Sequence, residues 1–106
     1  MKLQFAIFTL MLVSSLSSLA AAESKSQRGA AIYASSGCSH CHTIRSVGGK
    51  KGPDLSGVGR KIRTPQMRQQ IVQGGAQMPA FGDVLQKAEI DDLITYLHSC
   101  RDKEKK

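Results

Sequence analysis

Five consecutive residues, Cys38-Ser39-His40-Cys41-His42, constrain this chain more than any other feature. Two thiols separated by two residues can reach the two vinyl groups along one edge of a porphyrin. A histidine directly after the second thiol then lies under the iron and offers an axial nitrogen. The C-x-x-C-H spacing therefore predicts one covalently attached haem c per chain, with Cys38 and Cys41 as thioethers and His42 as proximal ligand. A zinc site would need four ligands, and beyond the motif only His98 and Cys100 could complete one. A thioredoxin-type pair is expected after a strand and at the start of a helix, whereas here a helical pattern precedes the motif.

The start of the chain fits this reading. Lys2 is followed by an apolar run from Leu3 to Val13, broken only by Gln4 and Thr9, then a serine-rich stretch and Ala20-Ala21-Ala22. That order predicts a secretory signal peptide over residues 1–22, cleaved after Ala22. The run is too short for a retained anchor, which takes about 20 apolar residues. No cysteine near the cut could carry a lipid. The mature chain is therefore expected to be exported, in a bacterial periplasm, with no stable membrane insertion.

Cleavage leaves 84 of the 106 residues, with Tyr33, Phe81 and Tyr96 as the aromatics. So small a chain builds a thin core and needs a staple or a ligand. Three cysteines, two of them inside the motif, make a poor disulfide frame, and a haem supplies the apolar bulk more directly. The net charge of +7 falls to +6 when Lys2 leaves, and two ionised propionates lower it to about +4. A basic balance predicts steering towards redox partners with acidic docking surfaces. No motif points to nucleic acid.

The periodicity predicts an all-α domain with three main helices and long loops. The first runs from about Ser26 to Ser35, with Gly37 at its end. The second starts at Thr64-Pro65, with threonine as cap, presents Met67, Gln70, Ile71 and Gly74 on one face, and stops at Gly74-Gly75. The third, from about Lys87 to Cys100, repeats apolar residues at Ile90, Leu93, Ile94 and Leu97. Glu89, Asp91 and Asp92 suit its positive end, and Arg101 and Lys103 its negative end. No run reads as a strand. Residues 43–63 are glycine-rich and without period, and a loop of that length is expected to wrap a ligand. The domain is expected over residues 23–100. A charged tail over 101–106 is expected to fray into solvent.

Met67, Met78, His40 and His98 could each be considered for the second axial position of the iron. His40 lies within the attachment loop, Met67 on a core face and His98 near a helix end. Met78 lies in a Pro- and Gly-rich loop. The residues alone leave that position open.

Five stretches taken together resemble class I c-type cytochromes, the small monohaem proteins with His/Met ligation. They are Gly29 to Tyr33, Cys38 to His42, Gly52 to Lys61, Met78 to Phe81 and Ile90 to Leu97, within a likeness that runs from about Gln27 to Ser99. The resemblance implies a small cytochrome c fold wrapped round one haem. It implies Met78 as distal ligand, the Pro53 carbonyl on the other ring nitrogen of His42, and Arg60 near a haem propionate. It also implies that Gly29 and Tyr33 cross Tyr96 and Leu97 where the first and last helices meet. The implied function is one-electron transfer by a soluble carrier that is not an enzyme, with Lys50, Lys51, Lys61 and Arg63 as a basic docking rim. Two alternatives stand beside it. One is a subunit through which electrons enter a larger dehydrogenase or oxidase complex. The other is a peroxidase or gas-binding haem protein with a labile sixth ligand. Cys100 lies outside this pattern, and reads as a buried small hydrophobe or as a disulfide to a second chain.

Overall fold

The computed structural model describes residues 22–103, so the expected signal peptide, Ala22 apart, and the end of the tail lie outside the described residues. In chain order the elements are α1 (Lys25–Ser35), a 3₁₀ turn (Cys38–His40), β1 (Thr43–Ile44), β2 (Val47–Gly48), α2 (Val58–Lys61), α3 (Thr64–Gln73) and α4 (Lys87–Ser99). The three expected helices are present. The all-α expectation needs two additions, the one-turn helix α2 and a two-stranded antiparallel hairpin within the glycine-rich loop. No described helix is long and apolar enough to cross a membrane.

The hairpin escaped the sequence because its turn residues are the wrong type. Arg45 and Ser46 both take positive φ, 50° and 70°, where Asn-Gly or Asp-Gly would ordinarily stand. Such a backbone costs about 1–2 kcal/mol per residue. Outside contacts oppose that cost. The Arg45 N–H donates to Ser56 Oγ at 2.7 Å, and the Arg45 guanidinium pairs with the Asp102 carboxylate at 3.0 Å. Asp102 N–H also donates to Ser56 O, and the Arg101 guanidinium donates to Gly59 O at 2.6 Å. Arg101 and Asp102 are therefore docked, which corrects the expectation of a tail that frays from residue 101.

Helix starts follow local chemistry. Ser24 caps α1, accepting from Gln27 N–H while the Gln27 side chain accepts from Ser24 N–H. For α3 the cap falls one residue before the expected Thr64. Gln66 Oε1 accepts from the Arg63 N–H, and Pro65 sits where its missing N–H costs nothing. Glu89 does the same for α4 through Gln86 N–H.

The core forms around α4. Ile90, Leu93, Ile94 and Leu97 line its buried face, and α1, α2 and α3 all pack on it, α1 most extensively. Each such side chain contributes about 1.5–3 kcal/mol. Asp91 and Asp92 do not serve the helix dipole alone. Asp92 pairs with Arg28 of α1 at 3.0 Å, and Asp91 with Arg68 of α3. Partly exposed pairs of this kind give about 0–1 kcal/mol each, so burial holds the helices together and the pairs set their rotation. Cys100 closes α4 at 2 % exposure, its thiol donating to Tyr96 O at 3.5 Å. A disulfide to a second chain would require this helix end to open.

The α1–α4 crossing depends on Gly29. A Cβ there would lie 2.6 Å from Tyr96 Cβ and would also overlap the Asp92 carbonyl oxygen. Next to it the Tyr33 and Tyr96 rings meet with centroids 5.7 Å apart, tilted by 58°. Gly29→Ala gains about 1 kcal/mol of helix propensity but meets backbone that cannot yield. The variant should be less stable by about 1–2 kcal/mol net, seen as a lower midpoint in thermal unfolding followed by circular dichroism. An unchanged or raised midpoint would mean that the two helices do not cross at this distance.

Candidate haem-attachment site

The motif residues emerge directly from the end of α1. Gly37, in left-handed conformation, turns the chain into the 3₁₀ turn, and the Cys41 and His42 N–H groups both donate to Cys38 O, at 3.2 and 3.0 Å. Side chains three residues apart in such a turn eclipse, which puts the Cys38 and Cys41 sulfurs on one side. Both thiols are unpaired and half-buried. Burial pushes the Cys38 thiol above its usual range, an effect that its backbone hydrogen bonding partly offsets.

His42 is held by the loop that follows. Its Nδ1 lies 2.8 Å from Pro53 O. A carbonyl can only accept, so Nδ1 carries the hydrogen, and in the neutral imidazole the free lone pair is that of Nε2. Gly52 N–H donates to Cys41 O at 2.7 Å, Gly49 N–H to Ser39 O at 2.8 Å and Leu55 N–H to Thr43 O at 2.8 Å, strapping the loop across the motif. At Gly52 a Cβ would lie 2.6 Å from His42 Cε1, so the backbone there forms a cradle that any side chain would fill. Sequence reasoning missed the role of Gly52. Its signal was present in a glycine placed directly before the proline.

Beneath the motif, the Tyr33 hydroxyl points at His42 O from 3.4 Å, at the weak end of hydrogen-bond range. Burial pushes the Tyr33 phenol up to about 12, with Cys38 as the next contributor.

Met78 is carried by a separate structure. Gly75 and Met78 exchange backbone hydrogen bonds at 3.1 and 2.9 Å, and Phe81 N–H and Gly82 N–H donate to Ile71 O and Val72 O at the end of α3. Met67 and Ile71 are buried as expected of their face. Gln70 is exposed, and its amide donates to Met78 Sδ at 3.6 Å. No sequence signal marks that contact. His98 and His40 are exposed. Arg60 is exposed on α2, and its guanidinium makes no ion pair with a described residue. Hydrogen bonds thus join Cys38, Cys41, His42 and Pro53, while Met78 and Arg60 sit on other elements.

The residues fit a haem. The donor set is one imidazole with a free Nε2, one thioether and two unpaired thiols, a set suited to iron and to thioether links. Half-buried Ile32, Leu55, Val72, Phe81 and Leu85 pack against the core with part of their apolar surface still uncovered. Among the described residues no three of His, Cys, Asp and Glu gather to hold a metal ion, so the four-ligand set a zinc site needs is not assembled.

Residues 24–97 match the family described as cytochrome c oxidase, cbb3-type, subunit III. The fold is similar to that of the c-type cytochrome SorU from Sinorhizobium meliloti, with a TM-score of 0.61 and 24% identity, over 73% of this chain and 91% of that one. No curated protein matches the sequence.

The Tyr33 environment gives a pH signature. An unfolded tyrosine ionises near 10 and the folded Tyr33 near 12, so between those values the unfolded state has lost a proton that the folded state keeps. Stability should be insensitive to this group below about pH 10 and should fall from there to about pH 12. Denaturant midpoints against pH measure the fall, and Tyr33→Phe should flatten it. The same slope in both proteins would show that Tyr33 is not held neutral.

Proposed function

We propose that this chain, which belongs to the c-type cytochrome family described as cytochrome c oxidase, cbb3-type, subunit III, is an exported carrier of single electrons and not an enzyme. The observation that carries the reading is the Nδ1 contact of His42 with the Pro53 carbonyl, because it leaves the neutral imidazole one lone pair to give, on the residue that directly follows the second of the motif's two free thiols. Cys38 and Cys41 tether the cofactor so that a small domain cannot lose it. A haem bound there supplies a reversible one-electron iron couple. His42, through Nε2, and Met78, through its sulfur, would hold the haem iron, and with both given to the metal no position would be left for a substrate. The Met78 sulfur would favour the reduced metal and raise the potential. Pro53 orients the imidazole and increases its basicity. Arg60 offers its charge to a propionate. Lys50, Lys51, Lys61 and Arg63, all exposed, form the rim that acidic partners meet.

A second reading follows from the family's description, which names an oxidase subunit. In it the same site receives electrons within a stable complex. Retention of a partner through high-salt purification favours the complex, and a monomer that exchanges electrons in free encounters favours the carrier.

Absorbance spectra of the mature protein, oxidised and reduced, test the site. A low-spin spectrum with a far-red methionine-to-iron(III) band is expected, and Met78→Ala should abolish the band and give a high-spin ferric form. A high-spin spectrum in the unaltered protein would sink the carrier reading in favour of a peroxidase or gas-binding role. Electron exchange with an acidic redox partner should slow as salt is added, because screening shortens to about 8 Å at 0.15 M. Rates independent of ionic strength would remove the basic rim from the account.

A further inference from the structure

We infer that Gln70 is a positioning residue for the Met78 sulfur, occupying one of its lone pairs so that the other is the one presented to iron. The inference rests on Met78 being the axial ligand. Gln70 stands near the end of α3, exposed, with Nε2 at 3.6 Å from Met78 Sδ. A thioether has no hydrogen to give, so only the amide nitrogen can face it and the orientation of the side chain is determined.

The backbone makes this contact reproducible. Gly74 N–H donates to Gln70 O at 2.8 Å, the Gly75–Met78 pair turns the chain back, and Phe81 N–H donates to Ile71 O at 2.9 Å. The two ends of Met78 are thus held by one helix, its backbone through this turn and its sulfur through Gln70. An unbranched methionine has three rotatable bonds, and a hold at the sulfur removes freedom that the backbone cannot.

The surroundings make the effect electronic rather than a matter of charge. Gln66, Gln69, Gln70 and Gln73 line one open groove with Gly74, all of them neutral. Arg68, the cation within this helix, is turned to Asp91. Of these four glutamines Gln70 is the one whose amide donates to the sulfur. An N–H donor draws density from the sulfur and weakens it as a donor. Ferric iron loses more by this than ferrous iron, so the contact raises the potential. Exposure lets water compete, which keeps the effect small.

The test compares Gln70→Leu with Gln69→Leu, a change in the same groove away from the sulfur, in the mature haem-loaded protein. Potentiometric titration and the far-red band are read for both. Gln70→Leu should lower the potential by about threefold in the oxidised-to-reduced ratio, a tenfold change being about 59 mV for a one-electron couple. It should also move the band, while Gln69→Leu leaves both in place. Unaltered values in Gln70→Leu, or equal shifts in the two variants, would overturn the inference while leaving Met78 as ligand. A wild-type protein without the methionine band would instead overturn the ligand assignment, and the role of Gln70 with it.

Discussion

The close crossing of α1 over α4 is the contact on which the rest of the molecule depends. Gly29 lets the two backbones approach until the α1 chain rests against the Asp92 carbonyl and the Tyr96 side chain. That approach seats Tyr33 against Tyr96 and brings the end of α1, and with it Cys38, to the margin of the core. The attachment motif follows α1 after only a short turn, so its place starts from this crossing, and the loop that returns through Gly49, Gly52 and Pro53 then fixes it. α4 is suited to the part because its apolar stripe is continuous, and because its acidic flank gives Arg28 and Arg68 separate carboxylates to meet.

The loops are ordered by backbone hydrogen bonds more than by side-chain packing. The glycine-rich stretch returns to the motif through N–H groups of Gly49, Gly52 and Leu55, and the methionine loop returns to α3 through those of Phe81 and Gly82. A small chain has little apolar surface to spend on its loops, and main-chain pairing serves in its place. The C-terminal residues complete the arrangement. Arg101 and Asp102 hold α2 and the hairpin turn, which allows Arg45 and Ser46 an otherwise costly conformation. The imidazole of His42 is thereby fixed from two sides, by the Pro53 carbonyl at Nδ1 and by Gly52 against the ring face.

Much of this was legible in the residues. The helices showed in the spacing of Ile90, Leu93, Ile94 and Leu97, and the attachment motif in its spacing alone. The likeness to c-type cytochromes led to the Pro53 carbonyl and to the meeting of Gly29 and Tyr33 with the last helix. The hairpin was not legible, because Arg45-Ser46 carries no turn signature and owes its shape to Ser56 and Asp102. The docked start of the tail was not legible either, since a run of charges looks the same whether solvated or paired.

The sequence by itself determined where the C-x-x-C-H motif stands and which segments become helical, because motif spacing and helical period are properties of neighbouring residues. It also determined that His42 would directly follow Cys41. Only the tertiary structure decided which nitrogen of His42 stays free, that Gly52 frames its ring, and that Gln70 reaches the Met78 sulfur. Each of these is a contact between residues that are not neighbours in the chain. Such contacts come into being only when loops close on helices, and the geometry of that closure is set by the packed core and not by any local pattern.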